Sequence, residues 1–406
     1  MKGRNSRVAR FVVFGLLVAA LSVVAAGCGG GDDESSASTE LEGLGTTLDE
    51  IKANAKSEGK VDLVAWAYYV EDGSNDPAAD WVTDFEKDTG CDVSAKVAGT
   101  SDEMVTLMKT GQYDGVSASG NASLRLVAGG DVAPVNLDLV PNYADIFEDL
   151  KNQPYNTVDG VPYGIPHGRG ANVLMWRTDI VKPAPDSWSV VFDPESPYKG
   201  KVTAYDDSVY IADAAVYLMA TQPDLNITNP YELDDTQFQA AVDLLKQQKA
   251  IVGEYWSDYA KEEASFTSGD SVVGTTWQSV TNFLKGEKVA VESTSPKDGS
   301  TGWSDTWMIN SKAAHPNCMY LWMDHIVSPQ TNATATEYYG EAPSNSKSCA
   351  LMSDPTFCEQ YHADDPAYWE DIYYWITPVA DCGDDRGEVC KDHSEWVQAW
   401  TEIRGS

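Results

Sequence analysis

The stretch VDLVAWAYYV, residues 61–70, is a nearly unbroken apolar run, which is what a β-strand covered on both faces requires. It is followed by PAADWVTDFEKDTG, in which Trp81 and Phe85 stand one helical turn apart and Gly90 supplies a stop. A strand over 91–97, a helix over Ser101–Lys109 ended by Gly111, and a strand at YDGVSAS continue the alternation. It resumes with ANVLMWR and KGKVTAYDD, then helices at about 209–221 and 233–249, then DSVVGTTW and a helix to Lys285. Repeated β-α units predict parallel sheets with helices on both faces. The expected fold class is α/β, with two lobes that each carry a mostly parallel sheet. Between the two blocks lies DGVPYGIPHGRGAN (159–172), whose prolines and glycines break regular structure, and the first crossover between lobes is expected there.

The N-terminus bears on location. Lys2, Arg4, Arg7 and Arg10 precede an apolar run from Phe11 to Ala26, and small residues lead into Cys28. A positive region, a short apolar region and small residues at the exit describe a secretory signal, and the run is too short to be favoured as a membrane span. Cys28 after Ala-Ala-Gly resembles a bacterial lipobox, in which the cysteine is lipidated and becomes the mature N-terminus; a plain secretory signal with an incidental cysteine is the alternative. Residues 1–27 are thus expected to be a lipoprotein signal peptide and 28–46 a flexible tether, since GGGDDESSAST has no apolar residue beyond one Ala.

Loss of the signal leaves 24 basic against 63 acidic residues. So acidic a surface repels nucleic acid and attracts cations, although acidity also serves solubility alone. The roughly 379 mature residues suit two domains of ordinary size. Beyond Cys28 there are six cysteines, Cys91, Cys318, Cys349, Cys358, Cys382 and Cys390. An even number in an exported chain reads first as disulfides, with Cys349/Cys358 and Cys382/Cys390 the simplest local closures; a four-cysteine zinc site is the rival, without CxxC spacing to support it.

Catalytic motifs are absent: there is no GxSxG elbow, no GxxxxGK[ST] loop and no GxGxxG turn, and the five histidines show no metal-ligand spacing. No cofactor and no metal are expected. Carboxylate pairs such as Asp206/Asp207 keep a cleft glycosidase in view as the enzyme alternative. The most informative segment is PKDGSTGWSDTWMI (296–309), which read as a strand puts Trp303, Asp305, Trp307 and Ile309 on one face. A carboxylate framed by indoles needs a cation, either the protein's own or one brought from outside.

Five stretches in order, Trp66 with Tyr69, GVPYG (160–164), DSWSVVFDPE with YKGKVTAYDD, SGDSVVGTTW and PKDGSTGWSDTWMI, resemble the polyamine-binding (spermidine/putrescine) branch of extracytoplasmic solute-binding proteins of ABC importers. The resemblance runs from about Val61 to about Ser346. It implies a two-lobed periplasmic-binding-protein fold of type II with a hinge, and a ligand clasped in the cleft by aromatic walls and carboxylates. Trp66 and Tyr69 fall on the family's first aromatic pair, Ser119 on a hydroxyl contact, Asp207 on an acidic residue, Trp277 on an aromatic wall, and Trp303 with Asp305 on the Trp-x-Asp anchor. This chain departs from the pattern with Asn121, with Tyr210 in place of an acid, and with Glu341 in place of an aromatic, so Glu341 joins the candidates as an added carboxylate. Each has a bland competitor: Trp66 and Trp277 as core residues, Asp207 as a helix cap. Trp307 is expected in the core, as are Trp396 and Trp400 of the last helix.

The lobes implied are 47–165 with a return segment 303–345, and 166–302 with a disulfide-stapled C-terminal helical segment over 346–406. The function implied is a non-enzymatic, monomeric receptor, lipid-anchored outside the cell. It captures a small cationic polyamine and delivers it to an ABC permease. A sugar or ferric-iron receptor of the same fold, the latter with Tyr338 and Tyr339 as ligands, is the alternative binding function.

Overall fold

A computed structural model of the chain describes residues 41–405. The expected signal peptide, Cys28 and most of the expected tether lie outside the described residues.

The first lobe is organised by β1 (Lys60–Ala65), which lies between β2 (Asp92–Val97) and β3 (Gly115–Ala118) and runs parallel to both. Its apolar run serves two cores. Leu63 and Ala65 enter one cluster with Phe85 and Trp322, while Val64 points to the other face with Met104 and Val116, as the two-residue period of a strand demands. The preceding helix, Leu48–Glu58, starts where the Thr47 side chain accepts from the Glu50 amide and stops at Gly59, which adopts a left-handed φ of 72°. A small hairpin, β4 (Thr157–Val158) with β5 (Val161–Pro162), precedes β6 (Ile165–Pro166).

The second lobe is built on the long strand β7 (Gly168–Arg177), buried throughout except at its last residue. Beside it lie β8 (Val202–Tyr205), β9 (Val252–Trp256) and β10 (Val273–Trp277), followed in the chain by β11 (Val291–Thr294) and β12 (Ser300–Trp303). The chain then returns to the first sheet as β13 (Thr306–Ile309), crosses once more to β14 (Ala342–Pro343) on β7, and adds β15 (Ile372–Tyr374) beside β12. The last helix, His393–Gly405, places Trp396, Trp400 and Ile403 in the core of the second lobe.

The α/β, two-lobed architecture holds, but the sheets are mixed rather than mostly parallel. Within the β-α blocks the pairings are parallel (β1 with β2 and β3, β8 with β9 and β10). β7 and β13 instead enter each sheet from the other lobe and pair antiparallel, because no crossover helix dictates their direction. Where the two sheets meet, the links are short. His167 alone separates β6 from β7, Ser304 and Asp305 separate β12 from β13, and Glu341 leads into β14. Ladder pairs continue through the crossing, with Trp307 opposite Ile165, Trp303 opposite Gly170 and Pro343 opposite Gly168.

The structure closes Cys349–Cys358 and Cys382–Cys390, loops of 9 and 8 residues in separation, and adds Cys91–Cys318 at a separation of 227, which ties the start of β2 to helix Pro316–Ile326. Chain-entropy arguments weight the long closure most. Replacing Cys91 and Cys318 together by Ala is expected to cost about 2 to 4 kcal/mol of unfolding free energy. Opening Cys382–Cys390 costs less, and urea titration of the two variants gives the comparison.

Candidate functional site

The segment that reads as one strand over 303–309 is divided between the two sheets at Ser304–Asp305, so its side chains do not share a face. Trp303 is half-buried in the second lobe, with its ring 5.1 Å from Trp277 and 6.0 Å from Trp375. Trp307 is fully buried in the first lobe, as expected of a core residue, 5.5 Å from Trp322. Period-two reading fails because it assumes a single sheet, whereas the chain here leaves one sheet for another.

Asp305 sits on that link and is 2% exposed. One carboxylate oxygen accepts from the Ser119 hydroxyl at 2.6 Å and the other from the Tyr69 hydroxyl at 2.8 Å. The same Tyr69 hydroxyl lies 3.3 Å from a Glu341 oxygen, and Glu341 is also 2% exposed. Asp305, Ser119, Tyr69 and Glu341, chosen from four distant stretches of sequence, thus converge on one point. Burial, and then the neighbouring charge of Glu341, push the Asp305 carboxyl up to about 6; His167 and the hydroxyls of Ser119 and Tyr69 act in the opposite sense. Burial and the same two carboxylates raise the Tyr69 phenol well above its ordinary value.

Among the described residues no lysine or arginine pairs with Asp305 or Glu341; the nearest thing to a counter-charge is the His167 ring, whose Nδ1 is 3.2 Å from a Glu341 oxygen. Two enclosed carboxylates without a fixed cation are costly alone and suited to a cation from outside. Glycine at 168 and 170 is what lets the walls approach: a Cβ at Gly168 would collide with the Glu341 carboxylate, and one at Gly170 with the Trp303 ring.

The aromatic candidates sit at strand ends in both lobes. Trp66, at the end of β1, is half-buried, and its indole N–H is buried without a hydrogen-bond partner. Trp277, at the end of β10, is half-buried, and its N–H donates to the Asn172 side chain at 3.1 Å. Asp207 makes none of the hydrogen bonds that join Asp305, Ser119, Tyr69 and Glu341: one of its oxygens accepts from the Val209 amide at 2.9 Å, just before helix Tyr210–Thr221. This is a turn-type bond to the amide two residues on, and the helix itself begins at Val209 without a side-chain cap. Burial, with the like charges of Asp102 and Asp206, raises its pKa. Tyr210 is a core residue, its hydroxyl taken by Gln248 at 2.8 Å, and Asn121 is held by Ser101 at 3.0 Å.

Sequence reasoning missed two groups. Tyr205, at the end of β8, stacks on Trp375 at 5.7 Å, and its phenol is raised by burial and then by Asp207 and Asp305, so it lies within range of both acids. Its position two residues before Asp207, at a strand end, was the available signal. His167 gave none, being hidden in a stretch read only for its glycines and prolines. At the surface, Tyr68 and Tyr338 from the first lobe and Tyr259 from the second bring their rings together at 6.1 and 6.4 Å, bridging the lobes.

One cluster has the composition of a metal site: donor atoms of Asp62, Asp114 and His315 lie within 4.8 Å of one another. Their bonds are internal, however. Asp114 accepts from the His315 amide and pairs with its ring at 2.9 Å, and Asp62 pairs with Lys60 at 2.7 Å, which fits a structural staple.

Residues 80–366 match the family model described as bacterial extracellular solute-binding protein. The chain is 26% identical over 299 residues, covering 72% of it and 78% of the relative, to spermidine/putrescine-binding periplasmic protein 1 of Haemophilus influenzae. It is 22% identical over 285 residues, 66% of this chain and 75% of the relative, to a putrescine/agmatine-binding protein of Pseudomonas aeruginosa. In fold it is similar to the spermidine/putrescine ABC transporter substrate-binding protein PotD of Streptococcus pneumoniae, with a TM-score of 0.67 at 16% identity, covering 85% of this chain and 97% of that one.

Proposed function

The chain belongs to the bacterial extracellular solute-binding protein family, and on that premise we propose that it captures a putrescine- or spermidine-like polyamine between its lobes and delivers it to an ABC importer. The observation that carries the reading is the pair of enclosed carboxylates, Asp305 and Glu341, at the crossing between lobes, with which no lysine or arginine pairs among the described residues. An ammonium there exchanges water for charge-assisted hydrogen bonds, worth about 1.5 to 3 kcal/mol each, and its methylene stem gains about 0.8 kcal/mol per CH₂ buried against aromatic rings. Trp66, Trp277, Trp303 and Tyr205 supply those rings in this reading. The names of the curated relatives point to the same ligand class.

In this reading residues 47–165 with 303–345 form one jaw and residues 166–302 with 346–406 the other. Ligand contact from both jaws favours the closed arrangement. The family places the protein outside the cytoplasm, and no helix among the described residues is long and apolar enough to cross a membrane. Lipidation at Cys28 is the proposed means of retention at the membrane, with the protein acting as a monomer.

The test is thermal unfolding with putrescine, spermidine, simple sugars and ferric iron. A ligand at 100 times its Kd adds about 2.7 kcal/mol of stability. Stabilisation by the amines is expected; stabilisation by a sugar or by iron alone would transfer the site to one of those ligands.

A further inference from the structure

His167 is a buried titratable group at the crossing that the ligand reading does not use. It is 0% exposed, with polar and aromatic neighbours from several elements. Glu341 lies 3.2 Å from Nδ1, Tyr339 of helix Pro329–Tyr339 places its hydroxyl 3.1 Å from the same nitrogen, and Ser117 of β3 is 2.8 Å from Nε2. The Tyr69 ring meets the imidazole edge-on at 5.0 Å, and Trp307 of β13 lies at 5.9 Å. Asp305 accepts a hydrogen bond from the His167 amide through its backbone carbonyl, at 3.1 Å, and feels the ring's charge through its carboxylate. The formal charges facing this ring are therefore the two carboxylates.

Both protonation states of the ring are supported here. With both nitrogens protonated, Nε2 donates to Ser117 and Nδ1 to Tyr339, while the Glu341 oxygen 3.2 Å from Nδ1, which has no hydrogen-bond partner, faces the charge. In the neutral ring one nitrogen keeps its proton and donates, and the hydroxyl facing the other nitrogen, Ser117 or Tyr339, turns to donate to it, since each hydroxyl can do either. Histidine is the side chain whose ordinary range of charge change spans neutral pH.

We propose that His167 is an internal counter-cation of the ligand site: in the ligand-free protein its imidazolium balances Glu341, and a bound ammonium takes over that carboxylate while His167 gives up its proton to solvent. This rests on the polyamine reading and deepens it. Binding exchanges one positive charge for another at the crossing, so His167 determines how many cationic groups the site accepts at a given pH.

The test compares wild type with His167→Gln, each titrated calorimetrically with putrescine between about pH 5 and 8, in buffers of different ionisation enthalpy. Proton release on binding equals the slope of log affinity against pH. Wild type is expected to release up to about one proton more than His167→Gln, so that its affinity rises up to about tenfold more per pH unit. The release that belongs to Asp305 remains in both. Equal slopes in two folded proteins overturn the proposal. A second measurement needs no variant: the carbon-13 signals of the His167 ring near pH 6.5 should move toward the neutral form when putrescine is added, and an unmoved ring overturns the proposal equally. Absence of amine binding by wild type would remove the polyamine reading together with this inference. Amine binding with unchanged slopes would remove the role of His167 alone.

Discussion

Asp305→Asn is expected to weaken amine binding by roughly a hundredfold or more at neutral pH while leaving the fold intact, because truncating one partner of a buried charge pair costs about 2 to 5 kcal/mol. The amide keeps the shape and can still accept from Ser119, which donates at 2.6 Å in the native protein. It loses the charge. It also relieves repulsion, since Glu341 is the neighbouring charge that helps raise the Asp305 carboxyl to about 6. Loss of affinity should therefore come without loss of ligand-free stability, and above the folded pKa with some gain. The sign follows from linkage. A carboxyl raised on folding contributes stability below its unfolded pKa and loses that contribution as pH rises through about 6. Calorimetry with putrescine and urea unfolding at two pH values check both halves. Retained affinity would remove Asp305 from the site.

The second large effect concerns Asp213, a carboxylate behind the aromatic wall that is 4% exposed. One of its oxygens accepts from Asn172 at 3.3 Å and Thr301 at 3.0 Å, and the other has no partner. Burial pushes this carboxyl up to about 7. Below about pH 7 the folded state favours the protonated form. Its contribution is complete below the ordinary carboxylate range and is lost as pH rises through about 7, a change on the order of a few kcal/mol by pH 8. Asp213→Asn imitates the protonated acid at every pH. It is expected to match wild type near pH 4 and to exceed it in unfolding free energy at pH 8, a difference that urea titration reads directly. Identical pH profiles would mean that the native carboxyl is not held protonated. The substitution should also leave the Trp277 wall in place, because Asn172, which accepts from that indole, keeps its neighbours.

The alternation of strands and helices was legible because apolar period and turn residues are local properties, and both lobes follow from it. The convergence of Tyr69, Ser119, Asp305 and Glu341 was legible only through resemblance, since residues spread over some 270 positions leave no periodic trace. Directionality was not legible. Nothing in GRGANVLMWR states that β7 pairs with β10, β11, β12 and β14, all antiparallel, because pairing is decided by long-range contacts. The same limit hid the division of 303–309 between sheets and the Cys91–Cys318 closure. Asp207 illustrates a different limit. An Asp before a helix satisfies two descriptions at once, and a local bond from the Val209 amide to one of its oxygens is compatible with either.

The shortness of the links at His167, Ser304–Asp305 and Glu341 has a mechanical corollary. A lever moves least at its fulcrum: in the proposed closing motion the acids at 305 and 341 sit on the short links, whereas the tyrosines at 68, 259 and 338 meet at the outer edge, where travel would be greatest. In the proposed reading, a guest gripped at the crossing would have its far end set the angle at which the rim shuts. On that reading, molecular length would become a geometric signal legible from outside the cleft.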